Sequence, residues 1–101
     1  RQYGYFCLPL LFRDEFIGRM DCKAHRKASH LEIKSLHWEP HHFDEDLVIA
    51  AFVDAITRFC HFQKCDSVSL TKAYPKHLTQ RLHRALEPLG QYQDQGSAVS
   101  E

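Results

Sequence analysis

Residues Phe16–Trp38, FIGRMDCKAHRKASHLEIKSLHW, decide the fold. Phe16, Gly18, Met20 and Cys22 alternate with Ile17, Arg19, Asp21 and Lys23, which is the period-two pattern of a half-buried strand, with Gly18 marking a bend. Leu31 and Ile33 then alternate with Glu32 and Lys34, and the apolar phase shifts to Leu36 and Trp38, as a bulge near Ser35 produces. The two strands flank CKAHRKASHL, residues 22 to 31, and no acid stands between Asp21 and Glu32. A turn this basic calls for an anionic neighbour or for plain water.

Upstream, Tyr3–Phe12 is aromatic and aliphatic and reads as a strand, placed at an edge or a bulge because Pro9 has no N–H for a ladder. Arg13-Asp14-Glu15 is a short polar break, and Glu39-Pro40 closes the third strand. The first forty residues therefore predict a three-stranded antiparallel meander with short connections.

Downstream, the spacing predicts a helix over Asp44–Phe62. Asp44 is placed to cap free backbone N–H groups, Glu45 and Asp46 suit the positive end of the dipole, and Val48, Phe52, Ala55, Ile56 and Phe59 form the apolar stripe. Asp54 and Arg58 fall at i and i+4 on the wetter side. Ser67–Leu70 reads as a short strand. Pro75 opens a second helix that carries Leu78, Leu82, Ala85, Leu86 and Leu89 on one face, with His77, Arg81 and Arg84 on the other. The order is β-β-β-α-β-α, an α+β domain over residues 1 to 90. Residues 91 to 101 are poor in apolar side chains and are expected to be a disordered tail.

At 101 residues and 44% hydrophobic, the chain is long enough to bury one core. Arg1 stands where an initiator Met belongs and a hydrophobic run follows at once, so the chain is expected to be a piece of a longer protein. Tyr5–Phe12 is too short to span a bilayer and has no signal-peptide pattern, so no membrane partner and a cytoplasmic location are expected. Cys7, Cys22, Cys60 and Cys65 are then expected to be reduced.

The formal net charge is zero, yet it is unevenly spread. Residues 1 to 40 hold seven bases against five acids, 41 to 66 two against five, and 67 to 101 four against three. Two basic groups stand out. Lys23, His25, Arg26 and Lys27 project from the hairpin, where side chains reach a phosphate backbone or a groove. Lys72, Lys76, Arg81 and Arg84 form a second, more ordinary group, since surface helices commonly carry such residues outside. Solvation of an exposed turn accounts for the first group equally well.

Other chemistry is thin. Cys22-x-x-His25 and Cys60-His61 with Cys65 supply zinc-type ligands, but at spacings unlike those of structural zinc sites, and Cys7, Cys22 and Cys60 fall in apolar stretches. No metal or other cofactor is expected. The four glycines are scattered at 4, 18, 90 and 96 and form no phosphate loop. His41-His42 reads as solvated surface.

The run LPLLFRDEFIGRMDCKAHRKASHLEIKSLHWEP, followed by the two helical segments, resembles the C-terminal region of the YcaQ/AlkZ-type DNA glycosylases, a winged-helix family that unhooks interstrand crosslinks and removes alkylated bases. The resemblance covers nearly all of the chain except the tail, and IGRMDCKAHRKASHLEIKSLHWEP carries most of it. It implies a monofunctional, metal-independent hydrolase of N-glycosidic bonds in the full protein, with double-stranded DNA bearing alkylation or crosslink damage as partner. It also implies tandem winged-helix modules elsewhere in the protein and a β-hairpin that approaches the lesion.

The family's catalytic motif, a Gln, an aliphatic residue, then Gln or Asp, lies in N-terminal sequence absent here. Gln91-Tyr92-Gln93 and Gln93-Asp94-Gln95 match it only superficially, since their middle residues are not aliphatic. No catalytic residue is expected in this chain, and the hairpin role transfers to Lys23, His25, Arg26 and Lys27. Two other readings stand beside this one. The chain is a structural domain that braces the winged-helix modules, or it is a small metal- or ligand-binding domain built on Cys22 and His25.

Overall fold

The computed structural model describes residues 4 to 89; the expected tail and both Gln-rich triplets lie outside them. β1 (Tyr5–Phe12), β2 (Glu15–His25) and β3 (His30–Trp38) pair in antiparallel order, followed by α1 (Glu45–Phe62), β4 (Ser67–Leu70), β5 (Ala73–Tyr74) and α2 (His77–Leu86). The sheet order is β1-β2-β3-β4, with β5 also on β3 beyond β4.

The meander stands as expected, but the sheet is mixed. β4 and β5 both run parallel to β3, aligning His30–Ile33 with Ser67–Leu70 and Leu36–His37 with Ala73–Tyr74. The physical cause is the crossover. α1 carries the chain from the far end of β3 back to its start, so the next strand must run the same way as β3.

Local chemistry sets the connections. Arg13 and Asp14, both at positive φ (51° and 68°), join β1 to β2 directly, a two-residue loop whose twist matches that of the strands. Between β2 and β3 the chain makes a 3-10 turn at Arg26–Ala28 and exits through Ser29 at φ 52°. The register slips where Asp21 faces Ser35 but Cys22 faces Ile33, so Lys34 is the extra residue of a bulge beside Ser35. A second irregularity opposite Leu10 and Leu11 lets Ile17, as well as Gly18, turn inward.

One core lies between the sheet and the helices. It takes Met20, Cys22 and Ala24 from β2, Leu31, Ile33, Leu36 and Trp38 from β3, Val48, Phe52 and Ile56 from α1, and Leu78, Leu82 and Leu86 from α2. Phe6, Leu8, Leu10 and Phe12 of the edge strand pack against it. Ala55, expected in the α1 stripe, is exposed, and Cys60 is buried in its place. Position 60 lies four residues beyond Ile56 and stays on the buried face, whereas Ala55 falls beside Asp54 on the outer one.

Asp44 caps α1 by accepting from the Asp46 N–H at 3.0 Å. Its C-terminus closes in a Schellman turn, with the Cys65 N–H on the Cys60 carbonyl at 2.8 Å, the Lys64 N–H on the His61 carbonyl at 3.1 Å, and Lys64 at φ 61°. Among the described residues no helix is long and apolar enough to cross a membrane.

The alternation that buries one sheet face leaves the other uncovered. Register places Tyr5, Lys23, Glu32 and Ser69 in one row across it, and Pro9, Arg19, His37 and Tyr74 in another. Leu11 and Phe16 face each other at its far end and are 66% and 53% exposed.

Candidate nucleic-acid interface

β2 runs on to His25, so Lys23 and His25 are strand residues on the uncovered face rather than part of the turn. The turn proper is Arg26–Ala28, exposed throughout. The β2–β3 ladder ends at the His25–His30 pair, and the tip therefore projects past the last strand bonds.

The charges at the tip are partly engaged. His25 Nε2 lies 2.8 Å from Glu32 Oε1, and Lys34 Nζ lies 3.7 Å from the other carboxylate oxygen. The hydrogen bond from His25 holds the Glu32 carboxyl below its usual range, against the opposing effect of burial and with Lys34 assisting. Arg26 donates to Gln63 Oε1 at 3.0 Å, which ties the tip to the end of α1.

Beneath the tip sits a polar anchor that links β3 to β4. The Asp66 N–H donates to the Ser29 carbonyl at 2.8 Å, and the Ser67 hydroxyl donates to the same oxygen at 3.5 Å. His30 lies between two hydroxyls, with Nδ1 2.6 Å from Ser67 Oγ and Nε2 2.8 Å from Ser69 Oγ. A neutral imidazole, one nitrogen donating and the other accepting, satisfies both contacts, since each hydroxyl can take either role. Burial, and then the neighbouring His25, lower the His30 pKa and favour that neutral form.

The second basic group does not join the first. Lys72 Nζ lies 5.9 Å from the centre of the Tyr74 ring, which itself lies 4.7 Å from the His37 ring. Lys76 adjoins the start of α2. Arg81 forks between the carboxylates of Glu45 and Asp46, and His77 Nε2 approaches Glu45 at 3.2 Å. These acids open α1, at the opposite end of an 18-residue helix from Gln63, so Arg81 and the hairpin tip are separated by about 25 Å of helix rise. The expected stripe of His77, Arg81 and Arg84 is therefore interrupted by acids and lies on the helical layer, behind the sheet. Only Arg84 of that stripe is an exposed cation beyond these acid pairs as described.

Trp38 is buried and donates from Nε1 to His41 Nε2 at 3.0 Å, so it is a core-edge residue and not a stacking platform. The four cysteines are free thiols. Among the described residues no three His, Cys, Asp or Glu side chains are grouped to hold a metal ion.

Sequence reasoning missed the anchor of Ser29, His30, Gln63, Ser67 and Ser69. Its signal was present in Ser67-Val68-Ser69-Leu70, where small polar and apolar residues alternate so that both hydroxyls share one face. No family model matches the chain, and no solved structure matches it.

Proposed function

We propose that this chain is the C-terminal α+β part of a cytoplasmic DNA glycosylase of the YcaQ/AlkZ type. In this reading it grips damaged double-stranded DNA through the β2–β3 hairpin, while the hydrolysis of the N-glycosidic bond is carried out by residues outside the chain. One observation carries the reading. Arg26 and Lys27 stand on a turn that extends past the strand ladder, Lys23 lies on the uncovered face two residues before the ladder ends, and the tip is held at its base by the Ser29–His30–Ser67–Ser69 bonds. A tip mounted in this way presents cations to a phosphate backbone at little ordering cost.

The test uses the full-length protein and duplex DNA. Replacing Lys23, Arg26 and Lys27 together with Ala should weaken binding across sequences and flatten the dependence of log K on log salt by up to about 2.7, at about 0.9 per lost phosphate contact. Arg81→Ala serves as the control and should leave the slope unchanged, because that guanidinium already sits between Glu45 and Asp46. An unchanged slope in the triple variant, with folding intact, rules out the hairpin as a DNA contact.

That outcome favours a second reading, in which the chain braces the winged-helix modules. The exposed Leu11 and Phe16, with Tyr5 at 38% exposure on the same uncovered face, support it.

A further inference from the structure

We propose that Cys60 and Cys65 form a reversible dithiol site, closing to a disulfide in exchange with a small-molecule disulfide. This goes beyond the DNA reading and does not depend on it. The backbone sets the geometry. In the Schellman turn that ends α1, Cys60 is the third-last helical residue and Cys65 the second residue past the cap, the two positions whose side chains meet in this motif. The 2.8 Å bond from the Cys65 N–H to the Cys60 carbonyl limits their Cα separation to below about 6.7 Å on standard backbone dimensions, inside the range a disulfide spans.

Access comes from a cleft of about 290 Å³ lined by both cysteines together with Thr57, His61, Asp66 and Leu89. The two thiols are not equivalent. Burial pushes the Cys60 thiol up to about 11, with the Cys65 sulfur beside it adding to the effect. Burial also raises Cys65 and Asp66 adds to the rise, while the Arg26 guanidinium opposes it; the attacking role is assigned to Cys65 because that cation stabilises its thiolate. Cys22 is fully buried, and its thiol is pushed up to about 12, first by burial.

The exchange balances as follows. The Cys65 thiolate attacks one sulfur of oxidised glutathione and expels one glutathione thiolate, leaving a mixed disulfide. Cys60 loses its proton, attacks the Cys65 sulfur and expels the second glutathione. The protein loses two hydrogens, and one glutathione disulfide is reduced to two thiols. The closed bond would staple the turn from which Asp66 and Ser67 hold Ser29, and so stiffen the mount of the hairpin.

The experiment incubates the folded chain with oxidised glutathione at neutral and mildly alkaline pH, quenches with acid, and digests with trypsin. Cleavage after Lys64 separates the two cysteines, so the expected product is a disulfide joining FCHFQK (59 to 64) to CDSVSLTK (65 to 72). It should form faster at the higher pH and be reversed by dithiothreitol. Cys60→Ser should stop the reaction at a stable glutathione adduct on Cys65. A glutathione adduct that persists on Cys65 in the unaltered chain, a bond from either residue to Cys22, or labelling of Cys7 alone would overturn the proposal. So would a 60–65 bond that forms only in denaturant.

Discussion

Gly18 sits in the central strand β2, opposite Leu10 on one side and Trp38 on the other. A Cβ added there would lie 2.1 Å from the His37 carbonyl oxygen, 3.1 Å from its carbon and 3.2 Å from the Trp38 Cα. All three are backbone atoms, so no rotamer change relieves the clash. Ordinary carbon–oxygen contact requires about 1.2 Å more, which β2 and β3 can provide only by separating at this end. Separation endangers the Gly18–Trp38 pairing and the 2.7 Å bond from the Glu39 N–H to the Ile17 carbonyl.

Two lost bonds cost about 2 kcal/mol, and displacing Trp38 within a packed core costs about 1–3 kcal/mol more. The entropy gained by restricting the unfolded chain returns less than about 1 kcal/mol. Gly18→Ala is therefore expected to destabilise the fold by about 3 kcal/mol. Trp38 is the sole tryptophan and reports the change directly in a urea titration. With a slope of about 1.5 kcal/mol/M, the midpoint should fall by about 2 M. A midpoint within about 0.3 M of the parent would refute the close approach of β2 to β3 on which the hairpin's orientation rests.

Two further outcomes follow from the local chemistry. His30 titrates below its ordinary value of 6.5, chiefly through burial, so the folded state binds fewer protons than the unfolded one as pH drops. Its contribution is fully present above the unfolded value and is lost as pH falls through the folded one. Glu32, also lowered, acts only below its own ordinary value of 4.5. Melting temperatures should therefore decline between pH 6.5 and 5 in the parent and decline less in His30→Gln, and equal slopes would contradict a His30 held neutral between Ser67 and Ser69. Lys64 holds a left-handed backbone at φ 61°, which glycine adopts without steric cost. Lys64→Gly should stabilise by about 0.5–1 kcal/mol and raise Tm by about 3–6 °C, measured by calorimetry; a lower Tm would count against the turn geometry.

Much of the fold is legible because its signals are local. The alternation from Gly18 to Lys23, the phase shift at Ser35 and the apolar spacing of α1 and α2 each follow from a period that one element imposes on itself, whereas Phe16, expected on the face of Gly18 and Met20, is turned to the uncovered face by the irregularity at Ile17. Pairing direction is not a property of one element. Nothing within Ser67–Leu70 states that it lies beside β3, or that it runs parallel to it; the return path of α1 decides that. Ala55 and Cys60 show the same limit on a smaller scale, since both are compatible with the stripe and only the packing partner selects Cys60. The positive φ of Lys64 was hidden for another reason, because the residue usual at that position is glycine.

The basic residues make the sharpest case. Sequence composition counts Arg81 and Lys27 alike, as cations in acid-poor stretches, but their surroundings differ in ways only the fold creates. Arg81 meets Glu45 and Asp46, which lie 36 and 35 residues away in the chain, and a guanidinium held by two carboxylates would have to give up those bonds to take a phosphate. Lys27 projects from a turn whose base is anchored to β4, and Lys23 stands on a sheet face that no helix covers. An anionic partner at Lys27 and Lys23, at one end of the sheet, therefore has no such pair of carboxylates to displace among the described residues. This is also the end at which the Cys60–Cys65 turn carries the hairpin's mount. A redox change at that turn and a DNA contact at the tip would act on the same few backbone bonds, so salt dependence measured on reduced and on oxidised protein tests whether the two are coupled.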